Sequence, residues 1–185
     1  MLASASGELN TRVPPFDDRR VRQALNYALN KRHTRKLLYG TSVPSHGLMP
    51  PGAIGRDDTL EPYPHDPAKA RALLAAAGHG NGLRLDYVTV ADDDAAKLAA
   101  AMQADFAEVG VTLNISVMAF ASYVTAIGRA EGGVPFSLGG WVSDSPDPSG
   151  FLDQTVHSRA IAAENSNNNT FYSNPALDQI LDDAR

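Results

Sequence analysis

The stretch that decides the fold class is DDDAAKLAAAMQADFAEVGVTLNISV, residues 92–117. Its first part carries apolar side chains at the spacing of one helix face, at Leu98, Met102, Phe106 and Val109. Three aspartates precede them, where negative charge complements the dipole of a helix N-terminus. After Gly110, apolar and polar residues alternate from 111 to 117, which predicts a half-buried strand.

The same two patterns recur on both sides of this stretch. Alternation predicts further strands over residues 83–88 and 134–142, the second ending near Trp141. Helical spacing predicts helices over residues 17–29, 66–77 and 119–129, with Asp66 as N-cap and Pro67 in the first turn of the second. The first pattern allows a helix that runs on through Leu38, and a last one begins at Leu177. Strands alternating with helices predict an α/β fold.

Four segments lack such periodicity. Residues 1–9 are predicted to be disordered or added during cloning. Residues 41–64 are rich in proline and glycine and predict a long structured loop. Residues 143–150 consist of turn-forming residues, and the asparagine-rich residues 163–169 predict a flexible surface loop.

Composition excludes several classes of function. The 16 Lys and Arg against 21 Asp and Glu give a net charge of −5, which argues against nucleic-acid binding. A basic cluster over residues 19–36 is interpreted as a solvated helix face. There is no cysteine, and the five histidines lack metal-ligand spacing, so no metal site and no cofactor are predicted. No phosphate loop or nucleophile elbow is present, and the protein is predicted not to be an enzyme. No secretory signal precedes the first predicted helix.

Four stretches stand in a specific order: PFDDRRVRQALNYALN (15–30), YPHDPAKARALLAAAG (63–78), GGWVSDSPDP (139–148) and FYSNPALD (171–178). Together they resemble the family 5, or peptide/nickel-type, extracellular solute-binding proteins of ABC importers. The resemblance covers nearly all of residues 10–185.

The resemblance implies a periplasmic-binding-protein-like lobe, a mixed β-sheet flanked by helices. Family members enclose a solute between two such lobes joined by a hinge. Residues 10–185 resemble the second, C-terminal lobe, incomplete at its C-terminus and without the first lobe and export signal. The implied partners are a short peptide, an ABC permease in the membrane and the missing first lobe. The implied location is periplasmic or extracytoplasmic, with or without a lipid anchor.

The resemblance also implies a ligand site at the end of the third predicted strand. Asp144 corresponds to the aspartate that pairs with the α-ammonium group of a peptide; alternatively, it caps the turn at Ser145 and Pro146. Trp141 corresponds to a wall of the side-chain pocket, and ordinary core packing is its alternative. Val142 and Ser143 lie between these two residues and are included in the expected site.

Three cationic or titratable residues of the proline- and glycine-rich segment, or beside it, are candidates for the peptide carboxylate: His46, Arg56 and His65. Each is alternatively a surface side chain. Two other functions remain open: a binder of the same fold for a metal chelate, haem or oligosaccharide, and a docking or sensor module.

Overall fold

The computed structural model describes residues 2–37, 43, 47–143 and 147–184, with only the backbone for residues 2–5. The described part contains four strands, β1 Leu2–Leu9, β2 Leu83–Val90, β3 Val111–Met118 and β4 Phe136–Ser143. Its α-helices are α1 Arg19–Ala28, α2 Lys31–Leu37, α3 Pro67–Ala76, α4 Asp93–Ala107, α5 Phe120–Ile127, α6 Ser149–Thr155 and α7 Pro175–Asp183. A short 3-10 helix spans Ser158–Ala160.

The four strands form one mixed sheet in the order β1-β4-β2-β3. Strand β2 runs parallel to β3 and to β4, whereas β1 runs antiparallel to β4. Helix α4 connects β2 to β3, and α5 connects β3 to β4. The predicted α/β class, a mixed sheet flanked by helices, is confirmed.

The core lies between the sheet and helices α1, α3 and α4. Aromatic rings form its centre, with Phe136 of β4 in edge-on contact with Phe16 at 5.8 Å and with Tyr87 of β2 at 4.7 Å between ring centroids. Each such ring is almost fully buried, and burying a large apolar side chain contributes about 1.5–3 kcal/mol.

Local sequence signals account for where α1 and α3 begin. Asp18 accepts the backbone N–H of Arg20 at 2.7 Å, and Asp66 accepts that of Lys69 at 2.9 Å. Each carboxylate thereby satisfies a helix N–H that has no intrahelical partner. The predicted N-cap Asp66 and the proline after it are confirmed.

The first helix does not run on as its pattern allows. Helix α1 ends at Ala28 because Leu29 takes an extended conformation, and α2 begins only at Lys31. The N–H of Asn30 between the two helices bonds to Asp105 Oδ2 of α4 at 2.7 Å. A buried carboxylate from another helix therefore takes the place of the helical acceptor. Residues 38–40, where the pattern would end, lie outside the described residues.

Residues 1–9 are predicted to be disordered or added during cloning; the described residues 2–9 are not disordered, and the origin of the segment stays a prediction. Residues 2–9 form β1, which pairs with β4 along its whole length, from Leu2 opposite Ser143 to Leu9 opposite Phe136. The segment is rich in small residues and carries little hydrophobic signal. Its order comes from hydrogen bonds to a strand more than 120 residues away.

Two further segments differ from their predictions. The turn-forming stretch ends in a helix, because α6 begins at Ser149 and buries Phe151. The asparagine-rich segment was predicted to be a flexible surface loop, yet Asn168 is fully buried. Its Nδ2 donates to Tyr172 O at 2.9 Å and its Oδ1 accepts from Thr170 Oγ1 at 2.8 Å. Side-chain amides here satisfy backbone and hydroxyl groups that water would otherwise solvate.

Candidate functional site

The carboxyl ends of the three parallel strands meet at one edge of the sheet, here called the carboxyl edge. Val90, Met118 and Ser143 are the last residues of β2, β3 and β4. In open α/β sheets, ligands bind outside the carboxyl ends of the strands, where loops and helix termini leave a crevice. The predicted site residues at the end of β4 therefore lie at the carboxyl edge.

Trp141 is fixed to the helix that follows β4. Its indole Nε1 donates to the carbonyl oxygen of Gly150 in α6 at 2.7 Å, and the side chain is half-buried. One part of the indole therefore packs against the protein, and another part faces solvent. A rigid aromatic surface that is open on one side can contact a ligand without losing much conformational entropy.

The other two predicted residues of β4 lie on different faces of the strand. Ser143 is buried on the same face as Trp141, whereas Val142 lies on the opposite face and is 53% exposed. This division follows from the alternation of side chains along a strand. The two faces therefore present different chemistry at the same strand end, aromatic and polar on one and aliphatic on the other.

Asp144 and His46, the predicted ammonium anchor and one of the carboxylate candidates, lie outside the described residues. The next described carboxylate is Asp147. Its Oδ1 accepts the backbone N–H of Ser149 at 2.9 Å and the Ser149 hydroxyl at 2.6 Å. These hydrogen bonds hold the pKa of Asp147 below its ordinary value. Asp147 therefore satisfies the backbone N–H of Ser149, the first residue of α6.

The proline- and glycine-rich segment reaches the turn after β4. A Cβ added to Gly55 would lie 3.6 Å from the ring of Pro148. The next residue is Arg56, whose side chain is only 11% exposed. Its Nε lies 2.6 Å from Asp58 Oδ1, and its Nη1 donates to Met49 O at 3.2 Å. The structure thus brings Arg56 to the vicinity of the turn, with its guanidinium bound within its own loop.

His65 lies elsewhere. It is exposed and precedes Asp66, whose backbone N–H donates to Tyr27 O at the end of α1. Among the described contacts, none connects His65 with β4 or with the turn that follows it. His65 is therefore a surface residue beside the α1–α3 junction.

An exposed aromatic residue at the carboxyl edge was not recognised from the sequence. Phe120 is the first residue of α5, two positions after the end of β3, and it is 70% exposed. Val117 near the end of β3 is also largely exposed. Both side chains lie near the end of β3 and are candidates for contact with a ligand at the carboxyl edge. The available signal was an aromatic residue directly after a strand end, which the helical pattern of residues 119–129 obscured.

A buried carboxyl group lies on β1 next to the site strand. Glu8 stands opposite Ser137, and a Cβ added at Gly139 would overlap the Glu8 carboxyl carbon. The side chain of Asn169 hydrogen-bonds the Glu8 carboxyl group. The buried Oε2 of Glu8 has no hydrogen-bond partner among the described residues. Burial raises the pKa of Glu8 to about 7, and the Asn169 hydrogen bond opposes part of that rise. Glu8 is therefore held partly protonated near neutral pH.

A shallow hollow of about 330 Å³ lies at the opposite end of the sheet from the carboxyl edge. It is lined by the end of α4 and the start of β3, and Gln103 Nε2 crosses it to donate to Leu113 O at 2.8 Å. The hydrogen bond occupies a free carbonyl of the edge strand. This hollow is a packing groove and is not associated with the predicted site residues.

The described residues contain no group of three His, Cys, Asp or Glu side chains that could hold a metal ion. Within the same part of the chain, no helix is long and apolar enough to cross a membrane. The carboxyl edge combines an aromatic wall, aliphatic side chains and a capped polar turn. This combination can bind an amphipathic solute.

Comparisons with known proteins match nearly the whole chain. Residues 4–163 match the family model described as bacterial extracellular solute-binding proteins, family 5 Middle. The dipeptide-binding protein of Escherichia coli is 35% identical over 178 residues, covering 92% of this chain and 32% of the relative. Heme-binding protein A of Haemophilus influenzae is 34% identical over 181 residues, covering 95% of this chain and 32% of the relative.

A solved structure has the same fold. The periplasmic binding protein DppA of Helicobacter pylori, in complex with the peptide STSA, superposes with a TM-score of 0.91 at 28% identity. The superposition covers 99% of this chain and 35% of that protein. The chain therefore spans about a third of the length of the relatives it matches.

Proposed function

The chain belongs to the bacterial extracellular solute-binding proteins of family 5, and we propose that it forms the second lobe of a binding protein that delivers short peptides to an ABC importer. The family consists of solute-binding proteins, which are not enzymes. The match over residues 4–163 is the observation that carries the proposal. The superposition on a peptide-bound periplasmic protein supports the same class of ligand.

In this proposal, a peptide lies against the carboxyl edge and is enclosed by a first lobe. Asp144 follows Ser143, the last residue of β4, and would pair with the α-ammonium group of the peptide. A charge-assisted hydrogen bond of this kind becomes stronger when the cleft closes and water is excluded. Trp141, together with Val142 and Phe120, would contact side chains. Since every peptide has the same main chain and termini, such a site accepts many sequences.

The partners and the location follow from the same proposal. A solute bound outside the cytoplasmic membrane must be passed to a permease, so the protein would act on the outer side of that membrane. The arginine that the structure places near the turn, Arg56, is already bound to Asp58 and Met49. It would contribute to the peptide carboxylate only through its remaining N–H groups.

Native mass spectrometry of the gently purified full-length protein tests the ligand class. The expected result is a series of adducts at peptide masses, which disappears in Asp144→Ala. Glu108→Ala provides the control, because Glu108 is exposed directly after α4, at the end of that helix away from the carboxyl edge. A single adduct with the mass of haem or a metal chelate, unaffected by Asp144→Ala, would contradict the proposal. It would indicate that the protein carries a solute other than peptides.

Fluorescence tests the position of the ligand. Trp141 is the only tryptophan in these 185 residues, so the part of an emission change that is lost in Trp141→Phe reports on the carboxyl edge. A dipeptide should change the emission, and the same dipeptide with an acetylated N-terminus should bind more weakly by about 2–5 kcal/mol. Equal binding of both peptides would contradict the proposed ammonium contact.

A further inference from the structure

Polar side chains from two other elements contact β4 on the face that also carries Trp141. The carboxyl carbon of Glu8, on β1, occupies the space where a Cβ at Gly139 would lie. Gly139 and Trp141 are two positions apart on the strand and therefore share one face. On α5, Tyr123 donates its hydroxyl to the carbonyl oxygen of Leu138. A carboxyl group and a hydroxyl group thus contact consecutive residues of β4, shortly before the tryptophan.

Two buried oxygen atoms of this region accept no hydrogen bond from any described residue, Glu8 Oε2 and Asn169 Oδ1. The Asn169 side chain hydrogen-bonds the Glu8 carboxyl and lowers its pKa, so the amide N–H is the donor of that bond. An ionised carboxylate offers only acceptors, whereas a protonated carboxyl has one O–H donor. An acid and a primary amide can therefore pair through two hydrogen bonds. A proton on Glu8 supplies the donor that the two acceptors lack.

The charges around Glu8 identify it as the group that titrates near neutral pH. Among the described ion pairs, none includes Glu8. Burial raises the pKa of Tyr123, and the charge of Glu8 adds to that rise. Tyr87 of β2 interacts electrostatically with Tyr123, and burial raises its pKa to about 12. Both tyrosines are therefore neutral near pH 7, where the Glu8 carboxyl changes its charge.

Ionisation of Glu8 would affect β4 directly. It would place a negative charge on a buried face without a described cation, and the cost of desolvation favours movement of the carboxylate towards water. Because the carboxyl fills the space over Gly139, such movement would release a contact on the strand that carries Trp141. The indole of Trp141 bonds to Gly150 O at 2.7 Å, so a shift of the strand would disturb that hydrogen bond as well.

We propose that a proton on Glu8 sets the position of Trp141 at the carboxyl edge, and that peptide binding therefore requires the protonated carboxyl. The first part concerns this chain alone and needs no ligand. The second part rests on the proposed function. Glu8 is a positioning residue in this proposal, because its contact is with Gly139, two residues before the tryptophan.

The pH dependence of fluorescence tests the first part on the full-length protein. The signal is the emission that is lost in Trp141→Phe, measured from about pH 6 to about pH 8. It should change with a midpoint near pH 7, because the pKa of Glu8 is raised to about 7. Glu8→Gln should keep the emission of the acid form throughout, because glutamine cannot ionise and retains an N–H donor. Asn169→Ala should move the midpoint to higher pH, because the Asn169 hydrogen bond lowers the pKa of Glu8.

The matched control is Glu108→Gln, at an exposed position directly after α4, which should titrate as the native protein does. Trp141 emission that is constant from about pH 6 to about pH 8 would overturn the proposal. The same change of emission in Glu8→Gln would also overturn it, because another group would then be responsible.

The affinity for dialanine tests the second part. The protonated fraction of Glu8 falls from about 0.9 at pH 6 to about 0.1 at pH 8, so the affinity of the native protein should fall about tenfold. The ammonium group of the dipeptide also titrates in this range, and Glu8→Gln should show only the loss that this group causes. Equal losses in both proteins would overturn the second part. A Trp141 transition without binding of dialanine at either pH would contradict the proposed function, and with it the second part, while supporting the first.

Discussion

Glu8→Gln is expected to stabilise the protein in alkaline solution and to leave it almost unchanged in acid. The Glu8 carboxyl is buried against Gly139, its Oε2 has no hydrogen-bond partner among the described residues, and its pKa is raised to about 7. In the unfolded chain the same group has an ordinary pKa near 4.5. Between these two values the folded state binds more protons than the unfolded state, so stability falls as the pH rises.

The size of the effect follows from the gap between the two pKa values. At 1.36 kcal/mol for each pH unit, the gap amounts to roughly 3 kcal/mol. The native protein retains the corresponding stability below about pH 4.5 and loses it as the pH rises through about 7. Glutamine cannot ionise, and its amide can still bond to Asn169. The free energy of unfolding of the variant should therefore exceed that of the native protein by up to about 3 kcal/mol at about pH 8.5. The two values should be equal at about pH 4.5.

Urea unfolding followed by the fluorescence of Trp141 measures this difference at both pH values. The slope of free energy against urea should be unchanged, because the same surface is exposed on unfolding. Glu131→Gln is the matched control, since Glu131 is exposed in a loop away from Glu8 and Gly139 in the sequence. A Glu8→Gln difference that is the same at both pH values would refute the assignment of a buried, partly protonated carboxyl.

Three further predictions concern packing around the site. Gly139→Ala should lower the free energy of unfolding in urea by about 2 kcal/mol or more, because the added Cβ would overlap Glu8. Adding Glu8→Ala in the same chain should restore most of that stability. Strictly additive losses from the two substitutions would contradict the contact. Asn168→Ala should lower the free energy of unfolding by about 2–3 kcal/mol, because the buried amide loses its hydrogen bonds. The control Asn167→Ala, at an exposed position, should lower it by less than about 0.5 kcal/mol. Equal losses would argue against a packed loop. Trp141→Phe should lower the free energy of unfolding by about 1 kcal/mol, because the hydrogen bond to Gly150 is lost. Calorimetry should show a lower melting temperature, and an unchanged one would contradict the prediction.

The periodic elements were predictable because their signals are local. Leu98, Met102 and Phe106 define the α4 stripe within a few turns, and the alternation of residues 111–117 defines β3 without reference to any other strand. Helix starts at Asp18 and Asp66 are equally local, because a capping side chain bonds a backbone group only a few residues away. These features fix the fold class, and the structure confirms it.

The segments that escaped prediction depend on distant partners. The asparagine-rich loop has no apolar pattern, yet Ser166 N–H bonds to Gly128 O, and Thr11 N–H bonds to Thr170 O. Such contacts join residues that the sequence separates widely, so composition alone indicates flexibility where the fold provides order. The solvent exposure of a side chain also depends on distant contacts. Nothing in the residues around Phe120 indicates that its ring faces solvent at the start of α5.

The placement of the candidate site depends on the segment that the sequence did not predict. The described pairing of β4 with β2 is at Val88 and Ser137, near the start of β4, whereas β1 pairs with β4 as far as Ser143. The half of β4 that carries Trp141 and Val142 is therefore held laterally by β1. Glu8 adds a side-chain contact at Gly139, two residues before the tryptophan. A strand made of small residues, which carries little hydrophobic signal of its own, thus fixes the residues proposed to meet the ligand, and a change at Glu8 or Gly139 should alter peptide binding without either residue touching the peptide.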